Sequence, residues 1–198
     1  MELIQRCQAG DAEAFATLFH QYQRLVYQTA YLLLGDAQAA EDALQEVFVK
    51  VHRSLATFDP AKGAFTTWLR RITVNHCLNV RRRRAIWPLS PPDRSVLVED
   101  RPSFLPEELA LSREQAAAVW QAVQRLSPKL RVVVILRYYE ELPYQEIAQV
   151  LDVPLGTVKW RLHEALQVLR AELESEALRK EREKPAGVRA PGRPRTEP

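Results

Sequence analysis

The 198 residues carry 28 Lys and Arg against 25 Asp and Glu, a net charge of +3, with 46% hydrophobic residues. That is enough chain for one large domain or two small ones, each with its own core. Six glycines and no sustained apolar–polar alternation argue against a β-rich protein, and no apolar run reaches membrane-spanning length.

The N-terminus does not read as a signal peptide, and Cys7 and Cys77 form neither a disulfide framework nor a metal-spaced cluster. The expectation is a cytoplasmic protein with reduced cysteines and no membrane insertion. His20, His52, His76 and His163 are scattered, and there is no Gly-rich phosphate loop and no Ser/His/Asp arrangement. No catalytic residue, metal site or cofactor is expected, and the chain does not read as an enzyme.

Residues 1–9 read as a short helix broken at Gly10. Asp11 is placed to cap a helix over 12–34, with Leu18, Val26, Ala30 and Leu33 on its apolar stripe. Gly35 ends it, and Asp36 caps a helix over 37–55 that turns Ala43, Val47, Phe48 and Val51 inward. On another face of that helix Asp42, Gln45, Glu46 and Val49 align at i, i+3, i+4 and i+7. Such a face is either plain solvated surface or a dock for a basic protein.

From Lys62 to Arg84 there are seven Lys or Arg and no acid, whereas residues 1–60 hold eight acids and four bases. Here Phe65, Trp68, Leu69 and Ile72 mark one helix face, and the same stripe continues into Asn75, His76 and Asn79. The helix starts buried and ends polar, flanked by Arg70, Arg71 and Arg81 to Arg84. Arginines neutralise phosphate and Asn offers a donor and an acceptor to a base, so this helix suits nucleic acid. On this helix alone, a solvated basic C-terminal turn favoured by the helix dipole is an equal account.

Residues 85–105, with Pro88, Pro91, Pro92 and Pro102, read as an extended linker. A second helical region starts at Pro106. Ser127-Pro128 opens a helix to about Tyr139, Tyr144–Leu151 forms a short helix with Ile147, Ala148 and Leu151 inward, and Asp152-Val153-Pro154 is a turn. Leu155–Leu173 follows, with Val158, Leu162, Ala165 and Leu169 inward and Thr157, Lys159, Trp160, Arg161 and His163 outward or flanking. Short helix, tight turn and second helix match a DNA-reading helix-turn-helix, or else a plain helical hairpin. Residues 176–198 read as a charged, disordered tail.

The fold expected is therefore all-α: two small helical domains, 1–84 and 106–175, joined by the Pro-containing linker 85–105. An acidic first third beside one concentrated basic helix suggests DNA held with help from a second partner.

These segments resemble a known family. AEDALQEVFVKVHRSL followed by FTTWLRRITVNHCLNVRRRR, and then YQEIAQVLDVPLGTVKWRLHEAL, look like regions 2 and 4 of an ECF-type bacterial sigma factor. The likeness spans about Glu2 to Leu173. It implies a dissociable subunit of RNA polymerase that recognises promoter DNA and helps melt it. Region 2 would bind the polymerase clamp helices through Asp42, Gln45, Glu46 and Val49. The −10 element would fall on the loop Phe58–Lys62, including Asp59, and on Trp68, Arg70, Arg71, Asn75, Asn79, Arg81 and Arg82. The loop would pocket a flipped base, at a cost of about a few kcal/mol that polymerase binding offsets. Thr157, Lys159, Trp160, Arg161 and His163 would meet the −35 element, the second domain would sit on the polymerase flap, and the linker would thread toward the active-site channel. An anti-sigma factor is a further expected partner. The alternative is an autonomous helix-turn-helix regulator that binds DNA without polymerase.

Several residues depart from the family pattern. Asn79 stands in place of the usual Asp, Trp160 in place of a small polar residue, and Glu164 and Leu166 where bases are common. Pro143 and Asp152 replace the usual cap and turn glycine. Trp160 either stacks on DNA or binds an inhibitor, or packs inward on a slightly rotated helix.

Overall fold

A computed structural model describes residues 2–86 and 113–183, and the regular structure among them is entirely helical. Most of the expected linker, the start expected at Pro106 and the residues beyond Glu183 lie outside the described residues.

Local capping chemistry sets the first half. Helix α1 (Glu2–Gln8) ends before Gly10, and Asp11 caps α2 (Ala12–Leu34) by accepting the Ala14 N–H at 3.0 Å. Arg6 grips the other Asp11 oxygen at 2.6 Å, and the cap N–H together with this guanidinium lowers the Asp11 pKa. Gly35 takes the left-handed conformation, φ 74°, that stops α2, and returns its N–H to the Tyr31 carbonyl. Asp36 then caps α3 (Ala37–Ser54) through the Ala39 N–H at 2.7 Å. Two single-turn 3₁₀ segments, Leu55–Thr57 and Pro60–Lys62, lead into α4 (Phe65–Ile86).

In the second half α5 (Arg113–Arg125) is followed by α6 (Pro128–Val134), which widens into a π-helical segment, Ile135–Tyr139. Ser127 contributes no side-chain cap to α6; its carbonyl accepts the N–H groups of Leu130 and Arg131. The pair α7 (Tyr144–Leu151) and α8 (Leu155–Glu183) has the expected helix-turn-helix arrangement. Two details differ from expectation. Val150 is buried beside Ile147, while Ala148 and Leu151 are only half-buried. Helix α8 runs to Glu183, so residues 176–183 are helical rather than part of a disordered tail. The run EALRKERE is made of strong helix formers, and nothing in it breaks the preceding turns.

The core is in two parts. Leu18, Val26, Val47, Phe48, Val51 and Leu69 join α2, α3 and α4, each fully buried aliphatic contributing about 1.5–3 kcal/mol. The second cluster centres on Val133, Ile135, Ile147, Val158 and Leu162 of the second half. It also takes in Leu33 of α2, Ala43 of α3, and Val74 and Cys77 of α4. The two halves thus share apolar surface.

Polar bonds fasten the same junction. The last turn of α2 has no basic residue of its own, yet its carbonyls need donors. Leu32 O accepts Gln124 Nε2 at 3.1 Å, and Leu33 O accepts Arg81 Nη1 at 2.8 Å and Arg131 Nη1 at 3.4 Å. Arg131 is 2% exposed, and its remaining bonds go to the Val123 and Leu126 carbonyls and to Gln124 Oε1.

Candidate nucleic-acid interface

The loop before α4 rests on an aromatic base. Phe58 is buried, its ring 5.4 Å from both Phe65 and Trp68, and Tyr22 packs on Phe65 at 5.1 Å. Gln8 Nε2 donates to the Leu55 and Phe58 carbonyls at 3.0 and 2.9 Å, tying the loop to α1. Asp59 accepts the Ala61 N–H at 3.0 Å and holds the turn that carries the exposed Lys62. Of the expected loop residues, Phe58 supports the surface and Asp59 and Lys62 form it.

Helix α4 divides the expected residues between two faces. Arg71, Asn75, Asn79 and Arg82 recur at i, i+4, i+8 and i+11, one edge of a helix, and all four are exposed. Trp68, half-buried, stands at the start of that edge. Arg70 and Arg81, also eleven apart, lie on the opposite face with Val74 and Cys77, both fully buried. Arg81 is spent on the α2 carbonyl described above, and burial, then the nearby Arg84, lowers its pKa. Arg70 Nε donates to Glu140 Oε2 at 2.7 Å and its Nη1 reaches Glu146 Oε1 at 3.3 Å. The apolar stripe Phe65, Trp68, Leu69 and Ile72 is legible in the sequence; the second face is not. Its signal is Val74 and Cys77 at i and i+3, on either side of the polar pair Asn75 and His76. Cys77 is inert by environment, burial pushing its thiol up to about 12.

Asp42, Gln45, Glu46 and Val49 are all exposed along α3. Beside them a cleft of about 480 Å³ between α3 and α4 brings Asp42 and Glu46 together with Lys50, His76, Asn79 and Arg83. Lys50 Nζ sits 2.8 Å from His76 Nδ1. Burial, then the Lys50 charge, lowers the His76 pKa below its ordinary 6.5, so the ring accepts this bond as the neutral imidazole. Neither partner was singled out from the sequence as part of the site.

At the far end, Lys159, Trp160 and His163 are exposed on the first turns of α8, and Thr157 and Arg161 are half-buried beside them. Trp160 is 61% exposed, which removes the inward-packing alternative. Asp152 makes the turn before α8 in the left-handed conformation, φ 54° and ψ 49°, which Asp tolerates better than most residues.

Residues 18–86 match the family model Sigma-70 region 2, and residues 116–169 match Sigma-70, region 4. The ECF RNA polymerase sigma factor SigW of Bacillus subtilis is 33% identical over 179 residues, covering 86% of this chain and 94% of its own. The chain belongs to the ECF sigma factors. As a member of that family the sigma factor directs RNA polymerase to specific promoters and is not an enzyme, which sets aside the autonomous regulator. Two solved structures are similar in fold. CnrH in complex with the cytosolic domain of CnrY has a TM-score of 0.62 at 24% identity, covering 87% of this chain and 96% of that one. The sigma factor RpoE in complex with the anti-sigma factor NepR from Bartonella quintana has a TM-score of 0.59 at 20% identity, covering 82% and 98%. Among the described residues no helix is long and apolar enough to cross a membrane, and no group of His, Cys, Asp or Glu could hold a metal ion.

Proposed function

We propose that the sigma factor reads the −10 element along the exposed edge of α4 and the −35 element with the start of α8. Arg71, Asn75, Asn79 and Arg82, with Trp68 at their head and the Asp59–Lys62 turn beside them, form the −10 surface. Arginine forks take phosphate while the two amides meet base edges. Thr157, Lys159, Trp160, Arg161 and His163 form the −35 surface, Trp160 stacking on the nucleic acid. Asp42, Gln45, Glu46 and Val49 dock on the clamp helices of core polymerase, and the second domain docks on its flap. The protein works in the cytoplasm as domains 1–84 and 106–175, and an anti-sigma factor holds it inactive.

The observation that carries this reading is the shared exposure of Arg71, Asn75, Asn79 and Arg82 on one edge of a helix that buries Leu69, Val74 and Cys77 on another. The test is run-off transcription with and without core polymerase. Specific initiation should require both proteins, and Asn75→Ala should lower it without lowering core binding. Unchanged initiation by Asn75→Ala and Arg71→Ala would refute the −10 assignment.

A further inference from the structure

The loop that carries Asp59 and Lys62 is fastened from outside by a residue that takes no part in the −10 surface. Gln8 closes α1, and its Nε2 donates to Leu55 O at 3.0 Å and to Phe58 O at 2.9 Å, 47 and 50 positions further along the chain. A side-chain amide nitrogen carries two hydrogens, so one residue serves both acceptors. Helix α1 can act as a fixed post. Ile4 is buried in the first core cluster, Leu3 and Cys7 pack against that cluster, and Arg6 is clamped to Asp11 at 2.6 Å.

What the two bonds add is direction. The Phe58 ring holds the loop down on Phe65 and Trp68, but apolar contact is non-directional and leaves the backbone free to turn about the ring. A hydrogen bond aims the carbonyl that accepts it. The peptide between Phe58 and Asp59 is trans and planar, so holding the Phe58 carbonyl toward Gln8 points the Asp59 N–H the opposite way. From there the turn builds on itself: Asp59 O accepts the Lys62 N–H at 3.1 Å, and the Asp59 carboxylate accepts the Ala61 N–H at 3.0 Å. Its downstream end is Gly63, at φ 154°, the residue type that restrains a backbone least. Orientation therefore enters the turn from its upstream end.

We propose that Gln8 is a positioning residue for promoter recognition. By aiming the carbonyls of Leu55 and Phe58 it sets the angle at which the Asp59–Lys62 turn meets the −10 bases, although α1 itself touches no DNA. The proposal rests on the reading of that turn as part of the −10 surface. Gln8 is exposed, so replacing it opens no hole in the core.

The experiment uses the full chain with core polymerase and linear templates randomised over the −35 and −10 segments, the transcribed templates being sequenced. Gln8→Met keeps the length of the side chain and removes the donors. Gln8→Glu keeps its shape and replaces the donor by an acceptor, which the two carbonyls repel. Circular dichroism melts confirm folding, and competition against a labelled sigma factor gives core affinity. Both variants should lose about two- to tenfold in −10 base preference, the span of one net hydrogen bond, with −35 preference and core affinity unchanged. Unchanged −10 preference in both would overturn the proposal. Equal losses at the two segments, or a loss of core affinity, would also overturn it, because Gln8 would then serve only the fold. The double variant Asp59→Ala/Lys62→Ala tests the turn itself. If it alters −10 preference and the Gln8 variants do not, the turn reads DNA and only the post fails; if it alters nothing, the −10 reading of the turn fails as well.

Discussion

The guanidinium of Arg131 reaches the carbonyl of Leu33, ninety-eight positions earlier in the chain, at 3.4 Å. Among the described residues, none of its hydrogen-bond partners is a carboxylate. Its charge is spread over the carbonyls of Leu33, Val123 and Leu126 and the amide oxygen of Gln124. Bonds to a charged donor are each stronger than neutral ones, and a buried acceptor left without a partner carries its own penalty. Arg131→Ala should therefore cost about 3 kcal/mol, read as a shift in the urea midpoint. Arg131→Lys should recover only part of it, because an ammonium cannot span carbonyls that a planar fork reaches together.

His76 gives the protein an acid-sensitive point. Its pKa is lower in the folded state than in the unfolded chain, so the unfolded chain binds the extra proton first as pH falls below about 6.5. The stabilisation from the neutral ring is complete above that pH and is lost on acidification toward the folded-state value. Melting temperatures at pH 7.5 and 5.5 should differ more for wild type than for His76→Gln, whose amide oxygen keeps an acceptor for Lys50. Equal pH dependence in the two proteins would exclude His76 as the source.

Charge reversal on α3 separates polymerase binding from stability. Asp42 and Glu46 are exposed and form no ion pair among the described residues, so Glu46→Lys should change stability by less than about 0.5 kcal/mol. Affinity for core polymerase should fall about tenfold or more, measured by competition against a labelled sigma factor, as like charges replace complementary ones at the dock. Undiminished affinity would remove the α3 face from the polymerase contact.

Trp160→Ser tests the exposed indole. With 61% of the residue in solvent, its loss should leave the melting temperature nearly unchanged. Binding of polymerase to a promoter should weaken by about 1–3 kcal/mol if the ring stacks on nucleic acid. Unchanged promoter binding would end the stacking proposal.

How much of this was readable beforehand depends on where each constraint originates. Asp11, Gly35 and Asp36 act within a turn of their own positions, so the limits of α2 and the start of α3 follow from local chemistry. The exposed face of α3 was legible because the buried stripe left it over. The second buried face of α4 was not, since Val74 and Cys77 lie within a cluster whose other members are mostly more than fifty residues further along the chain. For the same reason Arg70 and Arg81 read as free DNA ligands, although distant partners claim both. Helix α8 outlasts its expected end because a charged, polar run resembles a disordered tail even where, as here, its residues are good helix formers.

That helix has 29 residues, which at the usual rise makes a rod of about 44 Å. Its first turns bear Lys159 and Trp160, so the far end is held several nanometres from the proposed −35 surface by an unbroken spacer. A fluorophore or affinity handle attached near Leu178 would report on the orientation of the second domain while standing clear of the nucleic acid.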